Sequence, residues 1–270
     1  MKSALVAIIL CSTAIAGDMP KPPYKAGDVR DDNALKMNLV WCPPGKYTTI
    51  GTKGRPSHVQ IKAGFWIGKY EVTRTEWTSV MQTKPWEEWR IWKTEKGEVL
   101  PANGMFAEEW QEFAANLSEL EQRAGRLQNG WEYTIPTREE WEYACRAGST
   151  TDYCFGNNVG ELNKYAWWGA HGQNAGNKTR LAAHGVGMKL PNKWGLHDTH
   201  GNLRELCASG TGKVRTHIAC GGAWGDPERL LKCSSTDEFR AIKGSVDRDH
   251  ARGQASSTGL RIVLTRVRKK

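Results

Sequence analysis

The chain has 270 residues, a formal net charge of +9 and only 39% hydrophobic residues, 13 Trp among them. Its 29 Gly argue for a loop-rich domain and against a helical bundle. The positive balance admits anionic partners such as a polysaccharide, a cell-envelope polymer or acidic lipid, although charge alone also serves solubility.

Lys2 precedes the apolar run Ala4 to Leu10, and Ala14-Ile15-Ala16 supplies a small-residue cleavage pattern before Gly17. The run is far shorter than the roughly 20 residues that cross a bilayer, and no other stretch reaches that length. Residues 1–16 are therefore expected to be a signal peptide, and the chain to be secreted, periplasmic or held at the cell envelope. Its removal takes Cys11 and leaves Cys42, Cys145, Cys154, Cys207, Cys220 and Cys233. An even count in an exported chain favours disulfides, with every pairing open at this point. The absence of CxxC argues against a zinc ribbon or a thioredoxin-like site.

Residues 17–37 are polar and Pro-containing, an extended lead-in to a single domain over 38–266, with 267–270 as a basic tail. Asn38 to Gly51 alternates around Pro43-Pro44-Gly45 and predicts a hairpin. His58–Ile61 and Gly64–Tyr70 predict two further strands. Thr73 and Glu76 have capping-box spacing ahead of a short helix, and Thr137 and Glu140 repeat it ahead of another. Trp86, Trp89 and Trp92 are three apart and would share a helical face, either packed on the body or offered as a stacking platform. Phe106 to Leu120 carries a helical apolar repeat, and Leu260–Thr265 reads as the last strand.

Pro191 to Trp224 is the stretch around which the chain is organised. Gly195, Gly201, Gly221 and Gly222 allow positive φ or close backbone approach, which predicts a tightly wound loop. Oxygens of Asn192, Asp198, Asn202 and Glu205 lie between those turns, as they would around a hard cation. No GxSxG, HExxH or P-loop pattern occurs, so common hydrolase and nucleotide-binding readings lack support.

FWIGKYEVTRTEW, YTIPTREEWEYACRAGSTTDYCFGN, PNKWGLHDTHGNLREL, CGGAW and GLRIVL occur in that order. Together they resemble the formylglycine-generating enzyme (sulfatase-modifying factor) family over about residues 38–265. The resemblance implies an α+β, C-type-lectin-like domain with short helices and strands and much irregular chain. It also implies structural calcium in the turn-rich part, for which Asp198, Asn202 and Glu205 are the expected oxygen ligands. It further implies a disulfide between Cys145 and Cys233, worth about 3–5 kcal/mol on the chain-entropy model. Cys207 and Cys220 flank a short segment and can make a second bridge, leaving Cys42 and Cys154 as the remainder.

The enzymes of that family oxidise a sulfatase cysteine to formylglycine with oxygen and with copper held by two cysteines, soft ligands suited to Cu(I). The matching positions after the Gly-Gly block are Asp226 and Leu231 here. The family serine is Ala223, and its WEW is Arg204-Glu205-Leu206. Copper is therefore not expected, and no catalytic residue is assigned. His197 and His200 have an HxxH-like spacing but read as loop residues. The expected role is a ligand- or partner-binding module that uses the polar segment Gly225 to Thr258, with an anionic polymer or glycan as ligand and nucleic acid not expected. The alternative is a formylglycine-generating oxidoreductase acting on a sulfatase, or a variant oxidase with a different metal site.

Overall fold

The computed structural model describes residues 23–50, 55–88, 99–169, 182–209, 216–240 and 253–268. The expected signal peptide, Trp89, Trp92 and residues 241–252 of the recognition segment lie outside them. The chain enters through β1 (Val29–Arg30) and β2 (Leu39–Cys42), antiparallel with Val29 opposite Val40. The described part of the lead-in is thus built into the domain rather than preceding it. Asn33 holds it in place, its Oδ1 accepting from the N–H groups of Leu35 and Met37, and Tyr24 rests on Trp41 and Trp66 at 4.9 and 5.0 Å.

The hairpin expected over 38–51 does not form. Pro43 and Pro44 have no N–H to continue a ladder. The chain instead leaves β2 for β3 (Gly45–Ile50), which pairs with β4 (Pro56–Ile61) in a separate two-stranded sheet. β5 (Phe65–Gly68) then returns beside β2, with all four residues buried.

α1 (Arg74–Met81) starts at the expected capping box: Thr73 Oγ1 accepts from Glu76 N–H at 3.2 Å, and the Glu76 carboxylate from Thr73 N–H at 2.7 Å. Trp86 follows in a 3₁₀ turn, partly buried against the core with the Arg74 guanidinium 5.1 Å from its ring. α2 (Ala107–Arg123) buries Trp110, Phe113, Ala114 and Leu117 on one face. Trp110 meets Trp77 edge-on at 4.8 Å, and Phe113 stacks on Trp77 at 5.4 Å. Rings of this size bury on the order of 150–250 Å² each, which is how a chain poor in aliphatic residues fills its main core.

β6 (Trp131–Thr134) is followed by α3 (Arg138–Arg146), which opens on the Thr137–Glu140 capping box. After the one-turn helix α4 (Leu162–Tyr165) come β7 (Arg204–Ser209), β8 (Thr216–Cys220), β9 (Thr236–Glu238), β10 (Thr258–Gly259) and β11 (Val263–Arg266). The Pro191–Trp224 stretch is therefore turns only as far as Leu203, and then a strand pair. The main sheet runs β1-β2-β5-β11-β6 and the second runs β10-β7-β8-β9. The outer edge of β6 is blunted where Ser118 Oγ takes the Tyr133 N–H at 2.8 Å. Among the described residues no helix is long and apolar enough to cross a membrane.

A buried polar network joins the two sheets. Arg261 donates through Nε and Nη2 to the Glu205 carboxylate at 2.8 and 2.6 Å, and to the Gly68 and His197 carbonyls at 2.9 and 2.7 Å. Trp141 Nε1 donates to the same carboxylate at 2.6 Å. Glu71 accepts from Leu203 N–H and Asn202 Nδ2, and Asp198 Oδ2 from Gly187 N–H. Glu71, Asp198 and Glu205 thus surround one guanidinium. Burial pushes the Glu71 carboxyl well above its ordinary range and Asp198 up to about 6.

Removing Arg261 would strand the Glu205 charge in the interior, so Arg261→Ala is expected to cost about 3–5 kcal/mol in urea unfolding. Arg261→Lys should recover only part, because an ammonium cannot reproduce the planar fork. The Asp198 shift has its own signature. The unfolded chain loses that proton near pH ~4 while the folded chain keeps it to about 6. The folded state binds more protons in that window, so this group's contribution to stability falls as pH rises through it, by about 3 kcal/mol in total. Asp198→Asn should therefore gain on the wild type by about that amount between pH 4 and pH 7. A difference that stays flat with pH would refute the assignment.

Candidate functional site

The turn region is held against α3 by Asn192, whose amide nitrogen donates to the Ala144 and Cys145 carbonyls at 2.8 and 3.0 Å. Its oxygen accepts from Trp194 and Leu196 N–H groups, which winds the first turn. Gly201 has φ +79°, and a Cβ there would sit 2.1 Å from the Trp167 carbonyl oxygen, so no side chain fits. Asp198 and Asn202 hold φ values of 57° and 59°, a left-handed region their short polar side chains tolerate.

The residues expected to ligate calcium are brought into one neighbourhood but not into one oxygen cage. Both Glu205 oxygens accept from Arg261, a fixed cation, and one also from Trp141. Asn202 Oδ1 accepts from His184 N–H, and its amide nitrogen is turned to Glu71. Asp198 Oδ1 is buried without a hydrogen-bond partner. A hard cation needs six or more free oxygens, so this trio does not fit a shared calcium. The carboxylates that sequence spacing suggests for a metal instead balance Arg261.

Asp226 and Leu231 occupy the positions of the family's copper thiols. Asp226 Oδ1 accepts from Arg204 Nη2 at 2.5 Å and its Oδ2 from Ala223 N–H at 2.7 Å, closing the GGAW turn on itself. Leu231 is fully buried, and its methyl packs on Gly222, where a Cβ would come within 2.7 Å. A carboxylate committed to a guanidinium and a buried aliphatic side chain cannot hold a soft cation, so copper does not fit here.

The cysteines gather elsewhere. Trp141 is surrounded by Cys145, Cys207, Cys220 and Cys233, all buried. Cys145 Sγ lies 3.4 Å from Cys233 Sγ and 4.0 Å from His200 Nε2. Burial pushes the Cys145 and Cys207 thiols well up, and for Cys207 the neighbouring Cys220 adds to the shift. Of the remainder, Cys42 packs with Phe65 and Tyr143, whereas Cys154 faces His200 and lines a surface pocket with Phe155, Tyr165 and Lys193. All six are thiols here.

His197 is a loop residue, half-buried on Tyr70 with Nδ1 against the Lys189 carbonyl. His200 is not. It is fully buried, its Nδ1 2.6 Å from the Leu231 carbonyl, and its Nε2 accepts from Cys154 N–H at 3.2 Å. Nothing in the HxxH spacing marks one His as half-buried and the other as fully buried beside thiols. The place of His200 next to Gly201, which forces close approach of the chain to Trp167, is the signal that could have separated them.

Residues 25–266 match the family model described as the sulfatase-modifying factor enzyme 1-like domain, FGE-sulfatase. Chaperone protein LppX of Paenibacillus barcinonensis is 25% identical over 305 aligned residues, covering 96% of this chain and 98% of that protein. Among solved structures, Treponema denticola variable protein 1 aligns with a TM-score of 0.66 at 20% identity, over 89% of this chain and 97% of that one. PvdO from Pseudomonas aeruginosa aligns with a TM-score of 0.64 at 21% identity, over 90% of this chain and 99% of that one. At such identities the likeness is one of fold, and it confirms the mixed α/β, C-type-lectin-like architecture expected from the motif blocks. With the matched domain spanning most of its length, the chain belongs to the FGE-sulfatase family of sulfatase-modifying factor enzyme 1-like domains.

Proposed function

We propose that this chain is an exported, non-oxidase member of its family that binds a partner through the segment Gly225 to Thr258. The observation that carries the reading is the Asp226–Arg204 ion pair and the buried Leu231 where the family's oxidases need two reachable thiols. The alternative oxidase would need another soft donor set open to a substrate peptide. Cys145 and Cys233 are at most 1% exposed, which does not favour that route.

The described part of the segment presents Arg229, Asp237, Glu238 and Arg240 to solvent, with Glu238 and Arg240 paired at 2.6 Å. Mixed charge of this kind suits a polypeptide partner better than a uniform polyanion. A relative named as a chaperone protein supports the same direction. The anionic polymer or glycan expected from net charge remains as the competing ligand, favoured only if binding follows the basic balance of the whole chain. For the thiols away from His200, we propose that Cys207 and Cys220, on paired strands, form a disulfide after export.

The purified chain, supplied with copper and oxygen, is expected to leave a sulfatase-type cysteine peptide unoxidised, read by mass spectrometry of the peptide. Conversion of that cysteine to the aldehyde above a protein-free control would defeat the reading. Exchanging Arg229 and Arg240 for Glu is expected to leave folding intact and to change partner capture; retention on an anionic polysaccharide column lost only at high salt would instead favour the polyanion.

A further inference from the structure

The second sheet ends on β9, whose Thr236, Asp237 and Glu238 are all exposed. An edge strand of this kind offers unpaired main-chain groups to any extended chain that reaches it. Phe239 donates its N–H to the His217 carbonyl at 3.0 Å, and Asp237 lies opposite Ala219 in the same register. Asp237 and Phe239 therefore bond toward β8, and the alternation of an antiparallel ladder turns the main-chain groups of Thr236, Glu238 and Arg240 outward.

One side chain already occupies part of that edge. Gln254 Nε2 donates to the Glu238 carbonyl at 2.9 Å, and its Oε1 accepts from the Arg240 N–H at 2.8 Å. A carbonyl only accepts and an N–H only donates, so the two contacts fix which end of the amide is nitrogen. One residue of a parallel neighbouring strand would make the same two bonds, to a carbonyl and an N–H two positions apart. The amide thus stands in for a strand residue. Its own backbone is anchored elsewhere: the Ala255, Ser256 and Ser257 carbonyls accept from Gly104 N–H at 2.8 Å, Asn103 Nδ2 at 2.6 Å and Arg204 N–H at 3.0 Å. Rotation of the Gln254 side chain alone would open the edge, and an incoming strand would replace the two bonds given up.

We propose that the partner docks at this edge, where an extended polypeptide segment adds to β9 as a further strand and takes the bonds that Gln254 holds in the free chain. The proposal rests on the partner-binding reading above and specifies its contact. Glu238 and Arg240 pair with each other at 2.6 Å, whereas Asp237, exposed on the other side of the strand, forms no ion pair among the described residues. A basic side chain on the added strand would meet it. A polysaccharide has no row of N–H and C=O groups at strand spacing, so the outward main-chain pattern favours a polypeptide.

The test uses the full chain and a fluorescent peptide of about seven residues, alternating Thr and Val around a central Lys, with binding followed by anisotropy. Gln254→Ala removes the competing amide and is expected to tighten binding about threefold to tenfold. Thr236→Pro removes an outward N–H and leaves the β8 ladder intact, so it should weaken binding by about the same factor. The same peptide methylated on its central amide nitrogens should bind neither chain. If Thr236→Pro does not fold, the methylated peptide carries the comparison. Equal binding of plain and methylated peptides, equal affinity of wild type and Gln254→Ala, or no binding to either chain would overturn the edge. So would a Gln254→Ala chain that dimerises in sedimentation without taking up the peptide, because Gln254 then guards the edge against a second copy. None of these outcomes decides the partner-binding reading itself, which is judged by the sulfatase-peptide assay.

Discussion

The buried pairing of Arg261 with Glu205 is the constraint on which the rest of the architecture depends. Arg261 immediately precedes the last strand of the main sheet, and Glu205 lies in the second sheet. The pair is therefore a buried polar joint between the two layers. A guanidinium can serve here because its fork satisfies a carboxylate and two carbonyls at once, including that of Gly68 at the end of β5. Full burial makes the pair costly to form and far more costly to break. Such an interaction specifies which strands must be adjacent more than it adds to net stability.

That joint leaves an imbalance, because Glu71 and Asp198 lie near the same guanidinium, with only Lys189 as a further cation near Asp198. The chain answers with backbone. Glu71 takes the Leu203 N–H and the Asn202 amide, and Asp198 takes the Gly187 N–H, so each carboxyl is tied to a turn rather than to a charge. Asp198 and Asn202, both in the left-handed backbone region, supply inward-facing side chains to this network. Turn geometry and buried electrostatics are here one problem with one solution.

Capping boxes, the aromatic stripe of α2 and the glycine turns were legible in the sequence because each is encoded by residues a few positions apart. Thr73 with Glu76, Thr137 with Glu140, and Trp110 with Phe113 and Leu117 all carry their partners locally. What was not legible is whatever a distant partner decides. Leu39–Cys42 and Gly45–Ile50 each look like strands around a turn, yet they join different sheets because β5 competes for β2. Arg204–Ser209 and Thr216–Cys220 were hidden by the glycines on either side of them. Glu205 looked like a metal ligand because its countercharge, Arg261, stands 56 residues away in sequence. A carboxylate amid turns has the same local appearance whether it meets a cation from solution or a guanidinium from the last strand.

The joint lies apart from the two positions that the motif resemblance aligns with the family's copper thiols. The Arg261 network involves neither Asp226 nor Leu231, so the residue types at those positions do not bear on the joint. Asp226 has nonetheless acquired a structural partner in Arg204, at the place where the family's WEW block carries an aromatic residue. The two residues satisfy each other: Arg204, mostly covered, would lack this counterion without Asp226, and Asp226 would be a buried charge without its cation if Arg204 were removed. Leu231, by contrast, acts through its backbone as well: its side chain packs on Gly222 while its carbonyl lies 2.6 Å from His200 Nδ1.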